Sequence, residues 1–172
     1  MTPTQALLKI TTTEGTLASD IRSLIRQGAN VNARTKDGIT PLLNAAMFLN
    51  RECIQILIDA GATVNARTNP DFPDSCGGTT ALIQAVRSHR DSGIINDLIN
   101  AGADLNVADT DGRTALMYAA AMINNPAIVE TLVTEGANIN QRDKYGWTAL
   151  DLARKNNSNP AIARLLVEMG AK

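Results

Sequence analysis

The chain has 172 residues, a formal net charge of −1 and only 3% aromatic side chains. That length allows one sizeable core or a short stack of repeats, and the absence of any tract of like charge gives no reason to expect nucleic acid or an anionic membrane surface as partner. With so few aromatics the core must be filled by Ala, Leu and Ile, which suits helices that approach closely.

In chain order the first unit, residues 1–34, starts with "TPTQALLKI" and continues into the helical "DIRSLIRQGANVN". The second, 35–67, opens on a "TKDG" turn. Thr40 then stands as a helix N-cap, Pro41 occupies the first helical position where its missing N–H costs nothing, and a second helix through "IQILI" closes at Gly61. The third, 68–108, carries "GTTALIQAV" and "INDLI" before Gly102. The fourth, 109–142, reads "DTDGRTALMYAA" and "IVETLV" before Gly136. The fifth, 143–172, reads "DKYGWTALDLAR" and "IARLLV" before Gly170. The apolar spacing of each second helix gives one buried stripe, and a glycine after it can take the left-handed conformation that ends a helix.

These units are in phase. Gly-Ala pairs begin at 28, 61, 102, 136 and 170, at intervals of 33, 41, 34 and 34 residues. Asn32, Asn65, Asn106 and Asn140 follow four residues later in "GANVN", "GATVN", "GADLN" and "GANIN". From each Asn to the next capping Thr (Thr40, Thr80, Thr114, Thr148) the gaps are 8, 15, 8 and 8, so the second boundary holds seven extra residues.

The repeated "GITPLLNAA", "GTTALIQAV", "GRTALMYAA" and "GWTALDLAR" resemble the ankyrin repeat, a unit of about 33 residues with a "TPLHxA" signature. The resemblance covers nearly the whole chain. It implies an all-α repeat solenoid of stacked helix-turn-helix units joined by β-hairpin-like loops in one domain; unit 1–34, which lacks the "GxT" turn, and the more polar 143–172 read as its end caps. The signature His is replaced by Leu43, Ile83, Met117 and Asp151, so bonding between repeats must differ, with apolar packing expected at the first three.

Signals for chemistry are weak. "DTDG" at Asp109 could open a calcium loop, but position 12 is Ala120 where such a loop needs a bidentate Glu, and the aligned "TKDG" and "DKYG" are turns before helices. The reading is therefore a turn in which Asp109 or Asp111 accepts from nearby backbone N–H groups. His89, the one histidine, has Asp91 close by but no placed nucleophile. Cys53 reads as a small packed hydrophobe and Cys76 as an exposed thiol with no adjacent base. "SCGGTT" lacks the Lys and the preceding strand of a phosphate loop. No metal, cofactor or enzymatic activity is expected. Two cysteines are too few for a disulfide framework, and the N-terminus lacks a basic start followed by an apolar run. These features point to a reducing, cytoplasmic setting, with a processed exported form left open. No membrane insertion is expected.

What remains is surface. The resemblance implies that residues flanking each turn glycine, and residues late in each first helix, line a concave groove. Ile39, Met47, Phe48, Met122, Tyr145 and Trp147 would then form an apolar path with Arg87 and Arg113 at its middle. Trp, Tyr and Arg are enriched among residues that dominate binding energy. For Phe48, Met122 and Trp147 the alternative is local packing. Tyr118, earlier in its helix, reads as structural. The insertion "RTNPDFPDSCGG", 67–78, extends one loop; Pro70 and Pro73 restrict the backbone around Phe72, and Asp71 and Asp74 add charge. The expected function is a monomeric, non-catalytic module that binds a protein partner through the concave face and this loop, as an adaptor or scaffold. The alternative is a dedicated inhibitor or immunity-type protein that blocks an enzyme's active site.

Overall fold

The computed structural model describes residues 1–12, 17–48, 51–71, 77–88, 91–157 and 159–172. Among them are ten helices: α1 Pro3–Ile10, α2 Ala18–Arg26, α3 Pro41–Phe48, α4 Arg51–Asp59, α5 Ala81–Ser88, α6 Ser92–Asn100, α7 Ala115–Met122, α8 Pro126–Thr134, α9 Ala149–Asn156 and α10 Pro160–Glu168. Each odd-numbered helix packs on the even-numbered helix that follows it. The odd helices also form one row, α1 to α9, and the even helices a second, α2 to α10. The result is a two-layer all-α solenoid. The connecting loops form no assigned strand among the described residues.

Local chemistry sets where the helices begin and end. The hydroxyls of Thr40, Thr80, Thr114 and Thr148 accept from the N–H groups of Leu43, Ile83, Met117 and Asp151 at 3.3, 3.4, 3.4 and 3.3 Å. These bonds satisfy first-turn donors that have no partner within the helix. Pro3, Pro126 and Pro160 occupy first-turn positions of α1, α8 and α10, as Pro41 does in α3. After each even helix, Gly28, Gly61, Gly102, Gly136 or Gly170 stands at φ between +84 and +107°, a region that L side chains avoid.

The odd helices are the core. In α3, α5 and α7 six residues each are buried, many of them alanines. Even helices bury one stripe, such as Ile128, Val129 and Leu132 in α8. Three of the four residues that replace the signature His fill this core: Leu43, Ile83 and Met117 are each 1% exposed. The fourth, Asp151, closes a capping box. Its Oδ2 accepts from the N–H and the hydroxyl of Thr148, each at 2.9 Å, as a charged residue at that position can.

Two hydrogen-bond ladders tie the units together. In the first, each periodic Asn bonds the backbone of the next unit. Asn32 donates to the carbonyl of Gly61 and accepts from the N–H of Thr63. Asn65 does the same with Gly102 and Asp104, Asn106 with Gly136 and Asn138, and Asn140 with Gly170 and Lys172. In the second, neighbouring turns bond one another: the N–H groups of Asn69, Thr110 and Lys144 donate to the carbonyls of Asp37, Gly77 and Asp111 at 2.9, 3.0 and 2.9 Å.

The insertion leaves both ladders in register. Thr68 N–H donates to the carbonyl of Thr79 at 3.1 Å, as Thr35 does to Ile39 and Asp109 to Arg113. Residues 69 and 77 keep their places in the turn-to-turn ladder, so the seven extra residues lie between them. A Cβ at Gly77 would collide with the carbonyl oxygen of Pro70, so the return of the inserted segment requires glycine there. Arg67 braces this base, donating to the carbonyls of Gly78 and Ala108 at 2.8 and 2.6 Å. Of the loop residues singled out above, Asp71 is exposed; Phe72, Asp74 and Cys76 lie outside the described residues, as does His89.

Candidate protein-binding face

Each turn that precedes an odd helix is built around one side-chain acceptor. Thr35 Oγ1 accepts from the N–H groups of Asp37 and Ile39 at 3.2 and 3.1 Å. Asp109 Oδ1 accepts from Asp111 and Arg113, and Asp143 Oδ1 from Tyr145 and Trp147, all at 2.9 Å. Asp109 is thus a turn residue, as its alignment with "TKDG" predicts. Among the described residues no group of three His, Cys, Asp or Glu could hold a metal ion.

The carboxylates have a second oxygen, and each holds a further side chain with it. Asp109 Oδ2 accepts from the hydroxyl of Tyr118 at 2.6 Å. Tyr118 is 7% exposed, which agrees with its structural reading, and its burial together with the bond to Asp109 raises its phenol well above the ordinary value. Asp143 Oδ2 accepts from Arg113 Nε at 3.2 Å. Burial alone would lower the Arg113 guanidinium, but its hydrogen bond to Asp143 and the neighbouring acidic groups leave it above its ordinary value.

The side chains expected on the face divide into three sets. Phe48, Met122 and Tyr145 are exposed, at 41, 45 and 61%, with the first two still more than half covered. Ile39 and Trp147 are half-buried against the core, and Met47 and Arg87 are half-buried at the ends of their helices. Trp147 therefore combines both readings, one part packed and one part open. Arg87 reaches across to the next unit, its guanidinium carbon 5.1 Å from the centre of the Tyr118 ring. The third set is the middle row, where Thr79 occupies the place of Ile39, Arg113 and Trp147. It is fully buried, and its hydroxyl and the Gln84 amide nitrogen have no hydrogen-bond partner among the described residues.

Cys53, the other cysteine, is buried at the start of α4, and burial pushes its thiol up. That agrees with a packed hydrophobe and not with an activated nucleophile.

Around Trp147 the surface carries cations that the sequence reading did not select. Lys155 Nζ lies 3.8 Å from the centre of the Trp147 ring, and Lys144 Nζ lies 5.1 Å from that of Tyr145. Lys144 also pairs with Asp111, and that hydrogen bond, followed by its contact with Tyr145, raises its ammonium above the ordinary value. Two shallow recesses flank the indole. One of about 510 Å³ is lined by Tyr145, Gly146, Trp147, Asp151, Arg154 and Lys155. The other, about 370 Å³, is lined by Arg113, Tyr145, Trp147, Leu152, Lys155 and Asn156. Lys155 sits in the last turn of the helix that Thr148 caps; the signal for it was present in the late-helix positions but gave no ring contact until the chain was folded.

Comparison with known proteins agrees with this architecture. The family model described as ankyrin repeats (3 copies) matches residues 10–109 and again 89–172. BRCA1-associated RING domain protein 1 of Caenorhabditis elegans is 36% identical over 89 residues, 51% of this chain and 11% of that protein. Two viral proteins named for their ankyrin repeats are similar as well. One, from Acanthamoeba polyphaga mimivirus, is 44% identical over 54 residues, 31% of this chain and 5% of its own length. The other, from Fowlpox virus (strain NVSL), is 33% identical over 95 residues, 54% of this chain and 26% of its own. The chain therefore spans no more than about a quarter of any of these relatives.

Proposed function

Because the chain belongs to the ankyrin repeat family, whose members are in general protein–protein interaction modules, we propose that it binds a protein partner through its concave face and the 67–78 loop, as a non-catalytic adaptor or scaffold. The observation that carries this reading is the set of large side chains left open on the expected face: Phe48 and Met122 at one repeat-equivalent position, half-buried Ile39 and Trp147 at another, and exposed Tyr145 beside Trp147. Single exposed apolar residues need no explanation; the reading rests on large ones recurring on the same expected face of the solenoid. The side chains of Phe48, Met122 and Trp147 take no part in the two ladders that tie the units together. No helix among the described residues is long and apolar enough to cross a membrane.

Affinity capture from cells that express the protein tests this. The intact chain is compared with Trp147→Ala, Phe48→Ala and a deletion of residues 69–75, and with Arg22→Gln on the outer row as a control. The proposal expects a stoichiometric protein partner that Arg22→Gln retains and that Trp147→Ala loses, a truncation of such an anchor costing about 2–4 kcal/mol. A partner retained at full affinity by all three concave-face and loop variants overturns it.

A further inference from the structure

We propose that the end of the concave face around Trp147 receives an acidic segment of the protein partner, one in which Asp or Glu residues are interspersed with apolar ones. The inference rests on the concave-face reading and adds the chemistry of what binds there. Charges of opposite sign are sorted by depth at this end of the molecule. Asp109 and Asp143 are each 6% exposed, and their oxygens are taken by backbone N–H groups, Tyr118 and Arg113. Asp151 is committed to the capping box of α9 and Asp111 to Lys144. The cations turn outward: Arg154 and Lys155 are exposed, and the side chains of Arg113 and Lys144 keep 31 and 47% of their surface. An approaching ligand meets the cations first, although the chain as a whole is nearly neutral.

Lys155 is the central group. It lines both recesses, and the face of Trp147 positions it, with no carboxylate in ion-pair contact with it among the described residues. A cation–π contact holds an ammonium in place without cancelling its charge, so Lys155 is oriented and still able to pair. The same contact excludes a cationic ligand, because the indole face is covered and the surrounding charge repels. Two recesses separated by an indole fit side chains of an extended segment better than a flat anionic surface, and a net charge of −1 gives no long-range field for a polyanion.

An unbiased random-peptide selection against the full chain tests the inference. The expected outcome is peptides enriched in Asp and Glu over the starting library. Their affinity should fall about tenfold for Arg154→Gln/Lys155→Gln, two exposed pairs of modest strength each, and should weaken further as salt rises from about 0.1 M to about 1 M. Arg22→Gln should bind them as the parent does. Circular dichroism checks that the double variant folds; the single variant Lys155→Gln, read by Trp147 fluorescence on peptide addition, supplies a second measure. Selected peptides that are neutral or basic, that bind the double variant equally well, or a selection that returns none, overturn the inference. Neutral peptides displaced by Phe48→Ala or Trp147→Ala would leave the concave-face reading standing, whereas peptides mapping to the outer helices would remove both. Binding of single-stranded DNA or phosphatidylserine vesicles at this end with no acidic peptide also counts against it.

Discussion

The first described turn, at Thr35, and the last, at Asp143, have the same backbone hydrogen bonds and different consequences. Both use one side-chain oxygen to accept two N–H groups, and both close on the same carbonyl two residues past the midpoint of the turn. A threonine hydroxyl has both lone pairs taken by this and can accept nothing more. A carboxylate has an oxygen left over, and Asp143 uses it to hold Arg113 while Asp109 holds Tyr118. The N-terminal end of the face is therefore apolar, with Ile39, Met47 and Phe48. The C-terminal end carries oriented aromatic and cationic groups. The choice of acceptor in a turn, which is a local matter, thus decides whether a second side chain is held there.

The largest effect expected from breaking this contrast is at Asp109. Asp109→Ala removes the acceptor of two backbone N–H groups and leaves the buried Tyr118 hydroxyl without a partner, for a loss of about 3 kcal/mol in urea unfolding. Thr35→Ala removes only the two N–H contacts, and about 1 kcal/mol is expected. Equal losses would mean that the second oxygen adds nothing. A smaller effect sharpens the same point. Asp143→Thr keeps a hydroxyl where Thr35 has one and releases Arg113, whose side chain is about a third exposed; stability should fall by about 1 kcal/mol or less. The Nε resonance of Arg113 should move toward its free position, and an unchanged resonance would show that Asp143 does not orient it.

The smallest effect is in pH. The N–H and then the hydroxyl of Thr148 donate to Asp151 and hold its carboxyl below the ordinary value of 3.8. A carboxyl whose folded value lies below its unfolded value stabilises the fold fully above the unfolded value and loses that contribution as pH falls through the folded one. The difference in urea midpoint between the parent and Asp151→Asn should be constant above about pH 5 and shrink below 3.8. The equivalent position in the second unit is the buried Leu43, so Leu43→Met should show no such pH dependence. A difference that persists unchanged into acid would remove the capping-box account.

Helix boundaries were legible because their causes are local. A capping Thr and the N–H it serves are three residues apart, and a left-handed glycine needs only its own backbone, so one unit's sequence suffices for each. Period and insertion length were legible for the same reason, since every unit repeats the local signal. The periodic asparagines were visible but mute. Asn32, Asn65 and Asn106 act on backbone groups 29 to 39 residues away, and nothing near them in the chain says so. Thr79 shows the limit from the other side: it aligns with exposed-face residues and is fully buried.

The amino-acid order alone determined the repeat, the helices and the places where the chain turns, because these follow from contacts within one turn of backbone. Only the folded chain decided which oxygen of Asp143 meets Arg113 and that Lys155 lies on Trp147. The first depends on where neighbouring units sit relative to one another, the second on how the turn and the helix of one unit fold together, and neither spacing is written in the local sequence.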